Sequence, residues 1–148
     1  MKNLTKLSKN ILPLIVVLFL MSCAAEQKVK HERFKIVDTF ISENNLKPLD
    51  NVFAFTFRGW SALDDWYLIV DSGLNRNYLL KLEGYCSQLS YATQIKLNQS
   101  TANRLQRHFD SVTVINSTVP QNCRIADIYL LNKEQKNNLN AVFKAKGL

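Results

Sequence analysis

The chain has 148 residues, of which 47% are hydrophobic and 21% charged. This composition suits one domain with a modest core, and the chain has no internal repeat or low-complexity segment. Its 19 Lys and Arg against 12 Asp and Glu give a formal net charge of +7, which on its own would favour a nucleic-acid partner. Three of those charges, Lys2, Lys6 and Lys9, lie in a segment that we expect to be removed. The mature chain would then carry about +4, and we expect no nucleic-acid partner.

An apolar segment follows these lysines and has the character of an export signal. The run from Ile11 to Met21 contains Pro13 and is well short of the roughly 20 residues that a membrane-spanning helix needs. It ends in Leu20-Met21-Ser22-Cys23, which resembles the lipobox of bacterial lipoproteins. The alternatives are an ordinary secretory signal with a chance cysteine, or an uncleaved anchor.

The lipobox resemblance implies three parts of the chain. Residues 1–22 would be a lipoprotein signal peptide, residues 23–30 a lipidated tether, and residues 31–148 a single α+β domain. The thiol of Cys23 would carry a diacylglyceryl group and its freed amine an acyl chain such as palmitate. Two or three chains are needed because one holds a protein only marginally. With Ala24 resembling an outer-membrane sorting signal, we expect a cell-envelope protein anchored through Cys23 in the outer membrane and facing the periplasm.

The predicted domain contains two further cysteines, Cys86 and Cys123. Exported chains with an even number of cysteines usually pair them, and closing a loop of roughly 37 residues would stabilise the fold by about 3–4 kcal/mol. A metal site is the alternative, because His108 and Asp110 lie between the cysteines, although no CxxC or HxxxH spacing supports it. We expect a disulfide, and neither a metal nor a cofactor.

The first half of the domain shows helical and then strand patterns. Apolar residues recur at helical spacing from His31 to Asn44 and predict an amphipathic helix. In the segment from Phe53 to Arg58, three phenylalanines alternate on one face and predict a strand packed on the core. Asp64-Asp65 predicts a turn. A catalytic acid–base pair is the less favoured interpretation, because adjacent residues on a strand point to opposite faces. Residues 66–70 and 78–82 then predict a hairpin.

The second half completes the predicted fold. Residues 92–97 are ambiguous between a strand and a helical turn, whereas 109–115 and 123–130 predict strands. Asn132 is a predicted N-cap, with Gln135 three residues later, for a closing helix. The buried stripe of that helix would consist of Leu139, Val142 and Phe143. The expected fold class is α+β: a small curled antiparallel β-sheet with an N-terminal and a C-terminal helix, and one intramolecular disulfide.

Three motifs in a fixed order resemble a family of small, mainly proteobacterial lipoproteins that is catalogued only as a domain of unknown function. The match runs from Trp60 to Ile128. The family usually has proline beside its first cysteine, where this chain has Tyr85 and Ser87. The resemblance supports the disulfide and an envelope location, and it implies no known reaction. The motifs are Tyr78-Leu79-Leu80 leading to Cys86, Phe109-Asp110-Ser111-Val112, and Cys123-Arg124-Ile125-Ala126-Asp127-Ile128.

Asp110 and Asp127 are the polar residues of most interest, because both lie in these motifs. Structural roles are favoured: Asp110 would accept backbone N–H groups at a turn, and Asp127 would pair with Arg124. A hydrolytic alternative would combine His108 with Ser111, but no G-x-S-x-G elbow is present. Several aromatic residues could line a ligand groove, although aromatic side chains in so small a domain are more often core: Trp60, Trp66, Tyr67, Tyr78, Tyr85 and Tyr91.

These patterns predict an envelope lipoprotein whose domain is a non-enzymatic binding or structural module, with another envelope protein as its expected partner. No catalytic residue is assigned. The alternative is a small-ligand binder or hydrolase-like enzyme that uses a groove near Asp110.

Removal of residues 1–22 can be tested in the producing cell. Inhibition of the lipoprotein signal peptidase should leave a heavier precursor, because the signal peptide stays attached, and mass spectrometry of membrane fractions measures the difference. The Cys23→Ser chain, which cannot form the thioether, should show no such dependence on the inhibitor. An unchanged mass of the parent chain under inhibition would refute the lipoprotein interpretation.

Overall fold

The computed structural model describes residues 31–115 and 120–145, apart from the side chain of Leu74. By its contacts the chain divides into a unit from Met1 to Glu32 and a compact unit from Arg33 to Leu148, and the fold below is that of the second. The predicted signal peptide and the tether with Cys23 lie outside the described residues.

The main sheet has six antiparallel strands in the order β2-β3-β4-β8-β7-β5, and β1 pairs with β6 in a small second sheet. This architecture confirms the predicted α+β class with helices at both ends. In chain order the elements are α1 (residues 31–43), β1 (Asn51–Phe53), β2 (Phe57–Ala62), β3 (Tyr67–Ser72), β4 (Arg76–Leu82), β5 (Ile95–Asn98), β6 (Arg104–Gln106), β7 (Ser111–Val114), β8 (Gln121–Leu131) and α2 (Lys133–Ala145), with 3-10 turns at Gly73–Asn75 and Leu89–Tyr91.

The sheet curls until its two edge strands pack on one core. Trp60 and Ala62 of β2, and Ile95 and Leu97 of β5, lie against the same cluster of buried side chains, although four strands separate β2 from β5 in the sheet. The small second sheet adds Val52 to this cluster. The curled sheet predicted from the sequence is therefore confirmed, and it is nearly closed around its first core.

The two helices cover the outer face of the central strands. Val37 of α1 and Leu139 and Phe143 of α2 pack with Tyr67 and Leu79 in a second buried cluster. Since β3 and β4 are buried on both faces, their sequences are almost continuously apolar rather than alternating.

Helix α2 begins as predicted but buries one residue fewer. The Asn132 side chain accepts the backbone N–H of Gln135 at 2.8 Å, and the Gln135 side chain accepts that of Asn132 at 2.9 Å, which is a capping box. Leu139 and Phe143 are buried, but Val142 is 38% exposed. The prediction that Val142 is buried is wrong. Only Leu139 and Phe143 of the predicted stripe pack in the buried cluster under the helices, and Val142 lies beside them at the edge of the contact.

The outer face of β3 and β4 is apolar and covered by the helices, whereas β5 and β7 carry polar side chains on one face. Asn98 lies opposite Ser111, and its side-chain amide donates to the hydroxyls of Ser111 at 3.2 Å and Thr113 at 2.7 Å. Within residues 31–115 and 120–145, no residue of β5 or β7 belongs to the cluster that the helices cover. Ser111, at the start of β7, also lines the candidate site.

The predicted strand with three core-facing phenylalanines is wrong. β1 ends at Phe53, Ala54 is left-handed with φ 52°, and β2 begins only at Phe57. This break ends the alternation, so Phe55 alone is buried, while Phe53 and Phe57 are 64% and 37% exposed. The buried Phe55 donates its N–H to the carbonyl of Asn103 at 3.0 Å.

The segment before β7 also differs from prediction. His108 is left-handed with φ 64°, and Phe109 is 75% exposed in a turn, so the predicted strand from 109 to 115 forms only over Ser111–Val114. Strand β6 was not predicted, because a three-residue strand held by its pairing with β1 has too few residues for a pattern.

Candidate functional site

The disulfide between Cys86 and Cys123 forms, with a Cα–Cα distance of 5.8 Å, and the predicted pairing is confirmed. Its two sulfurs are bonded to each other, so the alternative of a metal site that uses both cysteines is wrong. In the described part of the chain, no group of His, Cys, Asp and Glu side chains is arranged to hold a metal ion.

A groove of about 450 Å³ lies beside this disulfide. One wall is the loop that follows β4. The other wall comes from the turn before β7, from Ser111 at the start of β7, and from the first four residues of β8, of which Arg124 pairs with Ser111. The side chains and backbone that define it include Glu83, Gly84, Tyr85, Phe109, Ser111 and Arg124.

Two aromatic side chains of the groove extend into solvent. Phe109 is 75% exposed and Tyr85 is 48% exposed. The Tyr85 ring also meets the edge of Trp66 at a centroid distance of 6.3 Å, and its carbonyl accepts the side-chain amide of Gln121 at 3.4 Å. These contacts hold Tyr85 in position while the residue remains partly exposed.

The rim of the groove carries opposite charges. Glu83 lies 3.8 Å from Arg124 and 3.4 Å from the Nδ1 of His108. The predicted pair of Asp127 with Arg124 is wrong, because Asp127 instead lies 3.4 Å from Arg107. Between Arg124 and Asp127 the register of β8 against β4 shifts at a bulge, which interrupts the regular alternation of side chains along the strand.

Asp110 is fully buried and organises the turn beneath the groove. Its two carboxylate oxygens accept the backbone N–H groups of Ser100 and Gln106, each at 2.7 Å. This is the turn-acceptor role predicted from the sequence. The Asp110 carboxylate is not part of the groove lining, although its neighbours Phe109 and Ser111 are.

The side chains of the hydrolytic alternative do not converge. His108 faces Glu83, the Ser111 hydroxyl accepts the amide of Asn98, and Asp110 is held by backbone groups.

The predicted aromatic groove is formed only in part. Of the six aromatic candidates, Tyr85 alone lines the groove beside the disulfide. Tyr67 and Tyr78 are core residues, Trp60 and Trp66 pack partly buried against the two cores, and Tyr91 is 71% exposed elsewhere. The sequence pattern predicts a strand at Phe109, and the turn that exposes this residue has no simple sequence signal.

Asp64 and Asp65 form the predicted turn, but both are buried, which the sequence analysis did not predict. Asp64 accepts the N–H groups of Trp66 at 2.7 Å and Tyr67 at 2.6 Å. Asp65 accepts both the N–H and the hydroxyl of Ser90, which ties this turn to the loop that carries Tyr85. The flanking apolar residues were the available signal for burial.

Burial raises the pKa of Asp64 to about 6, against the lowering effect of its two backbone hydrogen bonds. Its second carboxylate oxygen is buried and has no hydrogen-bond partner within the described residues.

When the chain is compared with known protein families, one family model matches it. The model of a family of unknown function, DUF6491, matches residues 5–146. The chain belongs to this family. The predicted membership of a family of unknown function is thereby confirmed, over a longer stretch than the motifs indicated. No curated protein and no solved structure matches the chain. Within the described residues, no helix combines the length and apolar character needed to cross a membrane.

The buried Asp64 predicts an unusual pH dependence of stability. Between its usual pKa of 3.8 and about 6, the folded chain keeps a proton on Asp64 that the unfolded chain has lost. The free energy of unfolding should therefore fall as the pH rises through this window, by about 3 kcal/mol. Urea unfolding at pH 4, 5, 6 and 7 measures it.

Asp64→Asn should abolish most of this fall, because the amide oxygen still accepts both N–H groups and cannot ionise. The matched control Glu43→Gln removes an exposed carboxylate and should retain the fall. An Asp64→Asn protein with the parent pH dependence would contradict the assignment.

Proposed function

We propose that this protein is a lipid-anchored component of the bacterial cell envelope, held through Cys23 in the outer membrane and facing the periplasm. The lipobox resemblance of residues 20–23 supports the anchor. The disulfide between Cys86 and Cys123 supports an oxidising compartment, since such bonds are rare in the bacterial cytosol.

The domain of this lipoprotein is proposed to act as a non-enzymatic module that binds another envelope protein. The observation that carries this proposal is the groove beside the disulfide, where Phe109 and Tyr85 extend partly into solvent. Large aromatic side chains concentrate the binding energy of protein interfaces, because each buries a large apolar area with few rotatable bonds.

The surroundings of the two aromatic residues fit a protein partner. Ser111 and Asn122 offer side-chain hydrogen-bond groups in the groove, and Glu83 and Arg124 offer one charge of each sign at its rim. Protein interfaces are enriched in aromatic side chains and have a polar rim, so exposed aromatic residues among polar and charged groups suit such a surface. The hydrolase-like alternative has less support, because both oxygens of Asp110 are held by backbone donors.

Loss of the two aromatic side chains should abolish partner capture. In cells that produce the Tyr85→Ser/Phe109→Ser chain, chemical crosslinking and purification should recover a specific envelope protein at less than about one tenth of the parent yield, since hot-spot truncations commonly cost 2 kcal/mol or more. Phe53→Ser is the matched control, because Phe53 is 64% exposed and lies outside the groove.

Equal loss of capture in Phe53→Ser, or capture that survives in the double variant, would overturn the assignment to this groove. Recovery of no specific protein with the parent chain would overturn the proposed function itself. Equal thermal unfolding of the three chains excludes misfolding as the cause.

A further inference from the structure

A second cavity, of about 490 Å³, lies at the other end of the hairpin formed by β3 and β4. It is bounded by the start of β2, the 3-10 turn at Gly73–Asn75, the start of β4 and the first turn of α2. Every residue that lines it has a polar or charged side chain, and four of these side chains are cationic: Arg58, Arg76, Lys133 and Lys136.

The cavity has a strong excess of positive charge. Asp71 is the one carboxylate in its lining, so the four cations leave a net formal charge of +3. Lys136 neutralises Asp71 at 2.5 Å and also donates to the side-chain oxygen of Asn77 at 3.0 Å. The acidic residue in the first turn of α2, Glu134, is not part of the lining.

The other three cations, Arg58, Arg76 and Lys133, have no ion-pair partner within residues 31–115 and 120–145. A solvated surface usually interleaves charges of both signs, whereas like charges that converge on one concavity repel each other and focus a positive potential. Their convergence is unfavourable for the empty fold and favourable for binding an anion.

Two of these cations lie at irregularities of the backbone that border the cavity. The register of β2 against β3 shifts between Phe57 and Gly59, so Arg58 is the extra residue of a β-bulge. Its Nε lies 4.0 Å from the position that a Cβ would take at Gly73. Asn75 is left-handed with φ 56° and ends the 3-10 turn directly before Arg76. Bulges commonly re-aim a side chain beside a functional site.

The geometry points to a binding site for a phosphate-bearing anion in this cavity. Two arginines suit the ligand because the guanidinium fork matches phosphate oxygens in a bidentate manner, and a lysine adds a third charge from another element. The volume exceeds that of a single phosphate, so a ligand with a second phosphate or a hydroxyl-bearing group is favoured. The amides of Asn75, Asn77 and Asn137 line the cavity and can bind such neutral groups.

This site is separate from the groove beside the disulfide and does not depend on the lipid anchor. The probes are inorganic pyrophosphate, as a free phosphate compound, and glycerol 3-phosphate, as the polar part of an anionic lipid. Each is titrated calorimetrically into the purified full chain in a neutral detergent. Saturable binding of one molecule per chain is expected for at least one probe, and the tighter of the two indicates whether a free phosphate or a lipid headgroup is the source.

Variants on two elements test whether the binding belongs to the cavity. Two variants should each bind the probe more weakly: the double variant Arg58→Gln/Arg76→Gln and, independently, Lys133→Gln. The affinity of the double variant should fall by about tenfold or more. The matched control Lys47→Gln/Lys96→Gln removes two exposed cations from outside the cavity and should change the affinity by less than about twofold. Circular dichroism melts should show no loss of stability in the cavity variants, because Arg58, Arg76 and Lys133 make no ion pair in the described fold and repel one another in the absence of an anion.

Absence of saturable binding of both probes would overturn the proposal. Equal weakening by the control pair would also overturn it, because the binding would then reflect net charge alone.

Discussion

The disulfide between Cys86 and Cys123 joins the loop after β4 to the first half of β8, next to the point where the N–H of Glu83 donates to the carbonyl of Arg124 at 3.0 Å. Cys86 is fully buried in the first core, and its N–H donates to the carbonyl of Asp65 at 2.9 Å. The Asp65 carboxylate in turn holds Ser90 near the far end of the same loop. The loop is thus fixed by a covalent bond and by a buried acceptor, and the position of Tyr85 relative to Phe109 follows from both.

Buried carboxylates in this fold hold backbone groups. Asp110 accepts backbone N–H groups from two segments, and Asp64 does the same within its own turn. Neither Asp64 nor Asp110 lines the groove or the cavity near α2, so their charges do not offset the cations of that cavity. Arg76, which lines the cavity, begins β4, and Glu83, which lines the groove, follows the end of the same strand. The length of β4 therefore separates the groove from the cavity by roughly 20 Å.

Features with a local signal could be predicted from the sequence, and features set by tertiary pairing could not. The Asn132 cap, the hairpin of β3 and β4 and the disulfide follow from residue spacing and from cysteine count. The break at Ala54 removes two phenylalanines from the core, and a left-handed alanine has no sequence signature. For the site, the Asp110 turn was predictable, but the exposure of Phe109 and the partner of Asp127 depend on how the 107–110 turn packs against β8. The residues that line the basic cavity lie up to 79 positions apart in the chain, so no local sequence motif predicts it.

The central claim is that the disulfide-held groove is the surface that meets a partner. A photocrosslinking phenylalanine derivative placed at position 109 in living cells tests it most directly, with position 53 as the exposed comparison. The account predicts one discrete crosslinked product from position 109, absent from position 53, and lost when Cys86 and Cys123 are both replaced by Ala. No product from position 109, or the same product from both positions, would contradict it.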